Sequence, residues 1–166
     1  IPSDESVTFN SDTVGTIGST IANSGTLTFN GSNNFTFGQV ISGSGALVKS
    51  ESGTLTLSGT NTYTGDTTVL LGQLNISGQL GSGTYAGDIT NSGSINYSSN
   101  SDQTLSGVIS GTGSLTQSGS GTLTLSATNT YSGTTTISSG TLLITGKLGN
   151  GSYSNTISNS GILSYS

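Results

Sequence analysis

The sequence predicts an all-β chain wound as a parallel β-solenoid of about seven coils, and three observations support this prediction. The 166 residues are 29% hydrophobic and 5% charged, and most of the remainder is Gly, Ser, Thr and Asn. One internal repeat, with a period of about 68 residues, runs along the chain without a gap. Within the repeat, short segments alternate apolar and polar residues, which is typical of half-buried strands.

Intrinsic disorder is the first alternative, since chains poor in large apolar residues often cannot offset the entropy cost of folding. Typical disordered segments carry a high net charge, whereas this chain carries only -5. Its Leu, Ile, Val, Phe and Tyr residues also recur at fixed intervals. Regular spacing indicates that these residues share one core.

The repeat defines the organisation of the chain. Residues 41–43 return as 109–111, and residues 53–58 return as 121–126. About three positions in five are identical between the two copies, far more than shared composition produces. We therefore interpret 1–166 as one solenoid domain, expected to continue in a longer protein, with these parts: a partial unit 1–40 and the repeat units 41–108 and 109–166.

The strands follow from alternation with period two. Leu55 and Leu57 alternate with Thr54 and Thr56, and the same pattern recurs in 73–76. Thr, Ser, Asn and Gly are poor helix formers, and no apolar stripe with helical spacing is sustained. We expect no helix of consequence.

The coil length is read from a recurring Gly-x-Leu or Gly-x-Ile motif. If each start of the motif marks one coil, the coils contain about 20–27 residues, which fits a β-solenoid. The starts are Gly25, Gly45, Gly72, Gly93, Gly113, Gly140 and Gly161.

The same assumption predicts which side chains face the core. The strands should turn outward or end at Lys49 and Gln117, which break the second inward column. Tyr63 and Tyr131 are expected inward, and Asn61 and Asn129 in turns. The first inward column is then Leu27, Leu47, Leu74, Ile95, Leu115, Leu142 and Leu163.

Residues 113–142 read GSLTQSGSGTLTLSATNTYSGTTTISSGTL, and residues 45–74 carry the same framework. Both segments resemble the passenger-associated transport repeat of autotransporters. This resemblance implies a right-handed parallel β-helix displayed at the bacterial cell surface or outside the cell, beyond the outer membrane of a Gram-negative bacterium. It also implies that the signal peptide and the membrane barrel belong to other parts of the protein.

We expect no catalytic residue, no cofactor and no metal site. The chain lacks His and Cys, and no Gly-Gly-x-Gly-x-Asp calcium repeat occurs. A carboxylate pair would be the only acid–base site, but no acidic position recurs between repeat units, so we interpret the acids as solvated surface charge. They are Asp4, Glu5, Asp12, Glu51, Asp66, Asp88 and Asp102.

Charge and hydropathy also exclude two classes of partner. Lys49 and Lys147 are the only basic side chains, too few to neutralise a run of nucleic-acid phosphates. No stretch approaches the roughly 20 apolar residues of a membrane span, so we expect no membrane insertion by this segment.

The functional hypothesis is a structural or adhesive passenger segment whose partners are other copies of itself or a host or matrix surface. One alternative is binding to ice or another crystalline surface, weakened because Thr26 and Thr28 are followed by Ala46 and Val48 in the presumed next coil. A less favoured alternative is a glycan-cleaving β-helix enzyme. The predicted adhesive face contains Thr54, Thr56, Thr122, Thr124, Asn61 and Asn129.

Overall fold

The computed structural model describes residues 1–10 and 18–166, so the acidic residue Asp12 lies outside the described part. These residues form a parallel β-solenoid of about eight coils, which confirms the predicted fold class with one coil more than expected. Apart from two single 3-10 turns, Gly81–Gly83 and Gly149–Gly151, the described regular structure is strand.

Three large sheets run along the solenoid, and every strand pair in them is parallel. Sheet 1 contains β1 (Ser6–Asn10), β3 (Thr26–Asn30), β6 (Ala46–Lys49), β8 (Thr67–Val69), β11 (Ile89–Asn91) and β14 (Ile109–Ser110). Sheet 2 contains β4 (Phe35–Phe37), β7 (Thr54–Leu57), β9 (Gln73–Ile76), β12 (Ser94–Tyr97), β15 (Ser114–Gln117), β18 (Thr135–Ile137) and β21 (Ile157–Asn159).

The third large sheet covers the C-terminal half of the chain. Sheet 3 contains β10 (Thr84–Tyr85), β13 (Gln103–Leu105), β16 (Thr122–Leu125), β19 (Thr141–Ile144) and β22 (Ile162–Tyr165). Two short parallel pairs complete the fold: β2 (Ile21–Ala22) with β5 (Ile41–Ser42), and β17 (Thr128–Asn129) with β20 (Lys147–Leu148).

The predicted coil lengths are wrong, because no long coil runs from Gly45 to Gly72. Thr54 pairs with Gln73, and Thr67 pairs with Ile89. Register partners are separated by nearly the same length of chain throughout, about 20 residues. The Gly-x-Leu motif therefore does not mark one start per coil. It opens strands on different sheets, and one repeat unit spans about three and one-third coils.

The predicted inward column is wrong for the same reason. Leu27 and Leu47 stack in sheet 1, Leu74, Ile95 and Leu115 in sheet 2, and Leu142 and Leu163 in sheet 3. Each repeat thus shifts its strands to the next sheet. Six of these seven side chains are still buried in the core, because alternation alone decides which side chains point inward.

The strands end at Lys49 and Gln117, as one of the two predicted possibilities required, but neither side chain turns outward. Each is the last residue of its strand and is at most 3% exposed. Their long side chains fold back to bond carbonyls of the following turn: Lys49 Nζ donates to Glu51 O, and Gln117 Nε2 donates to Gly121 O at 2.7 Å. The nitrogen of each side chain is thus bonded inside the solenoid, whereas the buried Oε1 of Gln117 accepts no hydrogen bond from the described residues. Burial lowers the pKa of Lys49, and Glu51 partly offsets that effect.

Candidate adhesive surface

The outer face of sheet 2 is an uncharged polar surface. Its central outward row follows from the strand register: Thr36, Thr56, Asn75, Asn96, Thr116, Thr136 and Ser158. The inward neighbours of these residues in the internal strands belong to the core, so the sheet separates an apolar interior from a hydroxyl and amide exterior.

Hydrogen bonds connect successive coils along this row. Asn96 Nδ2 donates to Asn75 Oδ1 at 3.0 Å, and the Ser98 hydroxyl donates to the same oxygen at 2.8 Å. One coil further on, the Ser118 hydroxyl donates to Asn96 Oδ1 at 2.7 Å. These bonds hold the outward side chains in place, so the face presents an ordered array of polar groups.

The outer face of sheet 3 is also uncharged but more apolar towards its C-terminal end. Thr104, Thr124 and Leu143 lie in one row, in register. In the adjacent row Thr141 is followed by Ile162, which is 60% exposed. The two faces therefore differ in chemistry although they derive from the same repeat.

The threonines of the predicted adhesive face do not form one surface. Thr54 and Thr56 lie on sheet 2, whereas Thr122 and Thr124 lie on sheet 3. All four point outward and are half-buried. Their grouping was wrong because equivalent residues of successive repeats face different sides of the solenoid.

Asn61 and Asn129 are excluded from any surface, since both side chains are fully buried. Asn61 Oδ1 accepts a hydrogen bond from Ile41 N at 2.9 Å, and Asn129 Oδ1 accepts one from Ile109 N at 2.8 Å. Each amide nitrogen also donates to a backbone carbonyl of the preceding turn. These asparagines satisfy backbone groups inside the solenoid. The predicted turn position is wrong for Asn129, which is the last residue of β17.

Three of the acidic residues lie at corners between strands and bond the next coil. Asp88 N donates to Asp66 Oδ1 at 2.9 Å, and Thr122 N donates to Asp102 Oδ1 at 2.7 Å. Asp88 Oδ1 in turn accepts from the backbone one coil further on. The sequence signal for this role is a spacing: each acid lies about one coil length before the residue whose backbone N–H donates to it. Composition alone does not reveal this spacing.

The strand register of sheet 1 changes the argument about binding to ice or another crystalline surface. In its true register Thr28 is followed by Val48, Thr68 and Thr90 along one outward row. Among the four, only Val48 lacks a hydroxyl, so the row is more regular than the presumed coils suggested. Binding to ice or another crystal surface stays a prediction, measured by thermal hysteresis.

Two buried hydroxyl clusters repeat in the core. The Thr67 hydroxyl lies 2.8 Å from the Tyr63 hydroxyl and 2.7 Å from that of Tyr85. Tyr131, Thr135 and Tyr153 repeat the arrangement at 2.7 and 2.9 Å. The inward placement of Tyr63 and Tyr131 is confirmed, but their threonine partners were not predicted, since Thr usually faces solvent.

Burial raises the pKa of Tyr63 to about 12 and also raises the pKa of Tyr85, Tyr97 and Tyr131. The folded state favours neutral phenols. Their contribution to the stability of the folded state is therefore complete below pH 10, and it is lost as pH rises from 10 through the folded-state pKa values. The raised pKa of Tyr63 alone should lower the free energy of unfolding by roughly 3 kcal/mol at alkaline pH. We expect cooperative alkaline unfolding, measured by circular dichroism together with tyrosinate absorbance.

Two phenylalanine variants test whether the buried tyrosine phenols cause the alkaline unfolding. Tyr63→Phe should raise the pH of half-unfolding, because Thr67 keeps its bond to Tyr85 and one buried phenol is removed. Tyr165→Phe, at a position 66% exposed, should leave that pH unchanged. Equal shifts in both variants would contradict the role of burial.

In 1–10 and 18–166, no three His, Cys, Asp or Glu side chains lie close enough together to hold a metal ion. None of the helices in this same part is long and apolar enough to span a membrane.

Comparison with known proteins finds one family. The model of the passenger-associated-transport-repeat matches residues 47–76 and 115–144. The first match runs from β6 to β9 and the second from β15 to β19, so each includes a buried asparagine and the Tyr–Thr pair of a hydroxyl cluster. No curated protein and no solved structure matches the chain.

Proposed function

We propose that this chain, a segment of an autotransporter passenger that carries two passenger-associated transport repeats, is a structural rod displayed outside the cell whose flat faces bind further copies of the same rod. The family and the solenoid support the passenger assignment. Self-association and surface display are the further steps of the proposal, and they rest on the chemistry of the outer faces.

The observation that carries self-association is the separation of charge from the faces. Outward residues of the described strands in sheets 1, 2 and 3 include no charged side chain. Asp66, Asp88 and Asp102 instead lie at corners, where their carboxylates are bonded to backbone. Two faces can therefore approach closely with little like-charge repulsion, although the net charge is -5.

The geometry of the repeat favours association of many rods over the formation of a dimer. Thr56 and Thr124 are equivalent in the repeat, yet they lie on sheets 2 and 3. A rod with uncharged faces on different sides can bind two neighbours at once, and each added contact increases the avidity. Bundles of rods are the expected product, which would aggregate the cells that display them.

Sedimentation velocity over a concentration series tests the proposal. We expect the unmodified protein to associate, and Thr56→Lys combined with Thr124→Lys to reduce association at least about tenfold, because a charge desolvated in a neutral contact is costly. Thr130→Lys is the matched control, since that exposed threonine lies outside the three sheets.

A second control separates the faces from the end of the solenoid. The side chains of Leu163 and Tyr165 are 39% and 66% exposed beside an apolar cavity of about 290 Å³, so end-to-end stacking could imitate lateral contact. If Tyr165→Glu abolishes association and the threonine variants do not, the lateral proposal is wrong. A protein that stays monomeric at the highest concentration would also overturn it.

A further inference from the structure

The chain contains two Asn-Gly pairs, Asn30–Gly31 and Asn150–Gly151, and they differ in local structure. An Asn-Gly pair can modify itself, because glycine has no Cβ to shield its backbone nitrogen from the neighbouring amide carbon. Whether it does so depends on how freely the two groups can approach.

Asn30 is held in the sheet. It pairs with Asn10 across β1 and β3, and its Oδ1 accepts a hydrogen bond from the Ser50 hydroxyl at 3.1 Å. Gly31 is buried. The backbone cannot rotate here without breaking the ladder of sheet 1.

Asn150 lies in the opposite situation. It is exposed in the turn Gly149–Gly151, with φ 53° and ψ 28°, and its side chain makes no hydrogen bond to the part of the chain described. Glycines with φ of 57° and 91° flank it, and the bond from Ser152 N to Gly149 O at 2.9 Å closes the turn. Rotation at this turn therefore costs less than in a strand held by a sheet ladder. Other asparagines in the chain are tied, as Asn34 is through Thr54 N and Asn159 through Gly161 N.

We propose that Asn150–Gly151 is a self-modification site at which the asparagine is converted to aspartate and isoaspartate. The Gly151 nitrogen attacks Asn150 Cγ, and the bond from Cγ to Nδ2 breaks. Nδ2 leaves as ammonia with the proton from Gly151, and a cyclic imide remains. Water then opens the imide at either carbonyl, so the reaction needs no other reactant.

The product changes both charge and backbone at one corner of the rod. A carboxylate replaces the neutral amide, and isoaspartate adds one atom to the main chain of a turn that packs on β17 and β20. A displayed rod would therefore become more acidic with age at this corner, independently of any enzyme.

The experiment incubates the purified protein at mildly alkaline pH and follows each Asn-Gly pair by peptide mass spectrometry. We expect Asn150 to convert at least about tenfold faster than Asn30, with an acidic species appearing in ion exchange at the same rate. Asn30–Gly31 is thus an internal control within the same molecule.

Asn150→Ser is the matched variant, because Ser82 occupies the equivalent position of the other repeat with the same left-handed backbone, φ 54°. It should keep its circular dichroism spectrum and form no acidic species. Equal rates at the two pairs, a stable wild-type Asn150, or an acidic species in Asn150→Ser would each overturn the proposal.

Discussion

Gly133→Ala is expected to unfold the C-terminal coils of the solenoid. A Cβ at Gly133 would lie 2.1 Å from Gly113 O and 2.4 Å from Gly113 C, in the coil before it. Because both are backbone atoms, relief requires the coils to move apart and lose ladder hydrogen bonds. Overpacking costs about 1–3 kcal/mol and occasionally more, and a clash with two backbone atoms belongs at the upper end of that range, a large part of the stability of a domain.

The measurement is urea denaturation followed by circular dichroism, with Gly38→Ala as the matched control. The only neighbour of a Cβ at Gly38 is the Ser58 hydroxyl, at 3.4 Å. Alanine there reduces the entropy of the unfolded chain, so its stability should be equal or higher by up to about 1 kcal/mol. Similar losses in both variants would show that close packing of corners does not determine the fold.

Gly133 ends a column of glycines that explains the composition of the chain. A Cβ on Gly72, Gly93 or Gly113 would likewise meet the carbonyl oxygen of a glycine one coil earlier, within 2.5 Å. Coils stack this closely at their corners only where the side chain is absent, and this requirement accounts for much of the glycine content. A second column contains Gly45, Gly65, Gly87 and Gly107.

The sequence was sufficient to predict the fold class because alternation is a local property. Leu55 and Leu57 point inward and Thr54 and Thr56 outward whatever the register of the coil. The inward placement of Tyr63 and Tyr131 is also confirmed, although neither residue lies in an alternating strand. These predictions needed no knowledge of which strands are neighbours.

The register was not predictable from the repeat, since the sequence period and the coil length are different quantities. One repeat unit is not a whole number of coils, so Leu47 and its counterpart Leu115 lie on different sheets. Every inference that compared successive coils inherited this error, including the predicted adhesive face. The spacing of the glycine column, at positions 53, 72, 93, 113 and 133, carries the true coil length.

The buried polar residues were missed for a different reason. Lys49 and Gln117 were expected to end their strands or turn outward, and Asn61 was expected in a turn. The strand ends are confirmed, but the burial of the three side chains was not predicted. Each bonds backbone groups that the winding of the chain leaves inside, and the positions of such groups depend on which strands are neighbours.

Leu115→Ala is expected to cost about 2–5 kcal/mol, the range for large-to-small substitution in a packed core. The side chain is 1% exposed and stacks between Ile95 of β12 and Thr135 of β18. Thr116→Ala in the same strand is the control, because that threonine points outward and its loss should stay below about 1 kcal/mol.

The location of the effect is as informative as its size. In a solenoid each coil contacts only its neighbours, so a cavity at Leu115 should destabilise the adjoining coils more than distant ones. Hydrogen exchange should therefore accelerate in β12, β15 and β18 while β3 and β6 keep their protection. A uniform acceleration along the whole chain would instead mean that the coils unfold as one cooperative unit, and that damage to one coil destabilises the whole solenoid.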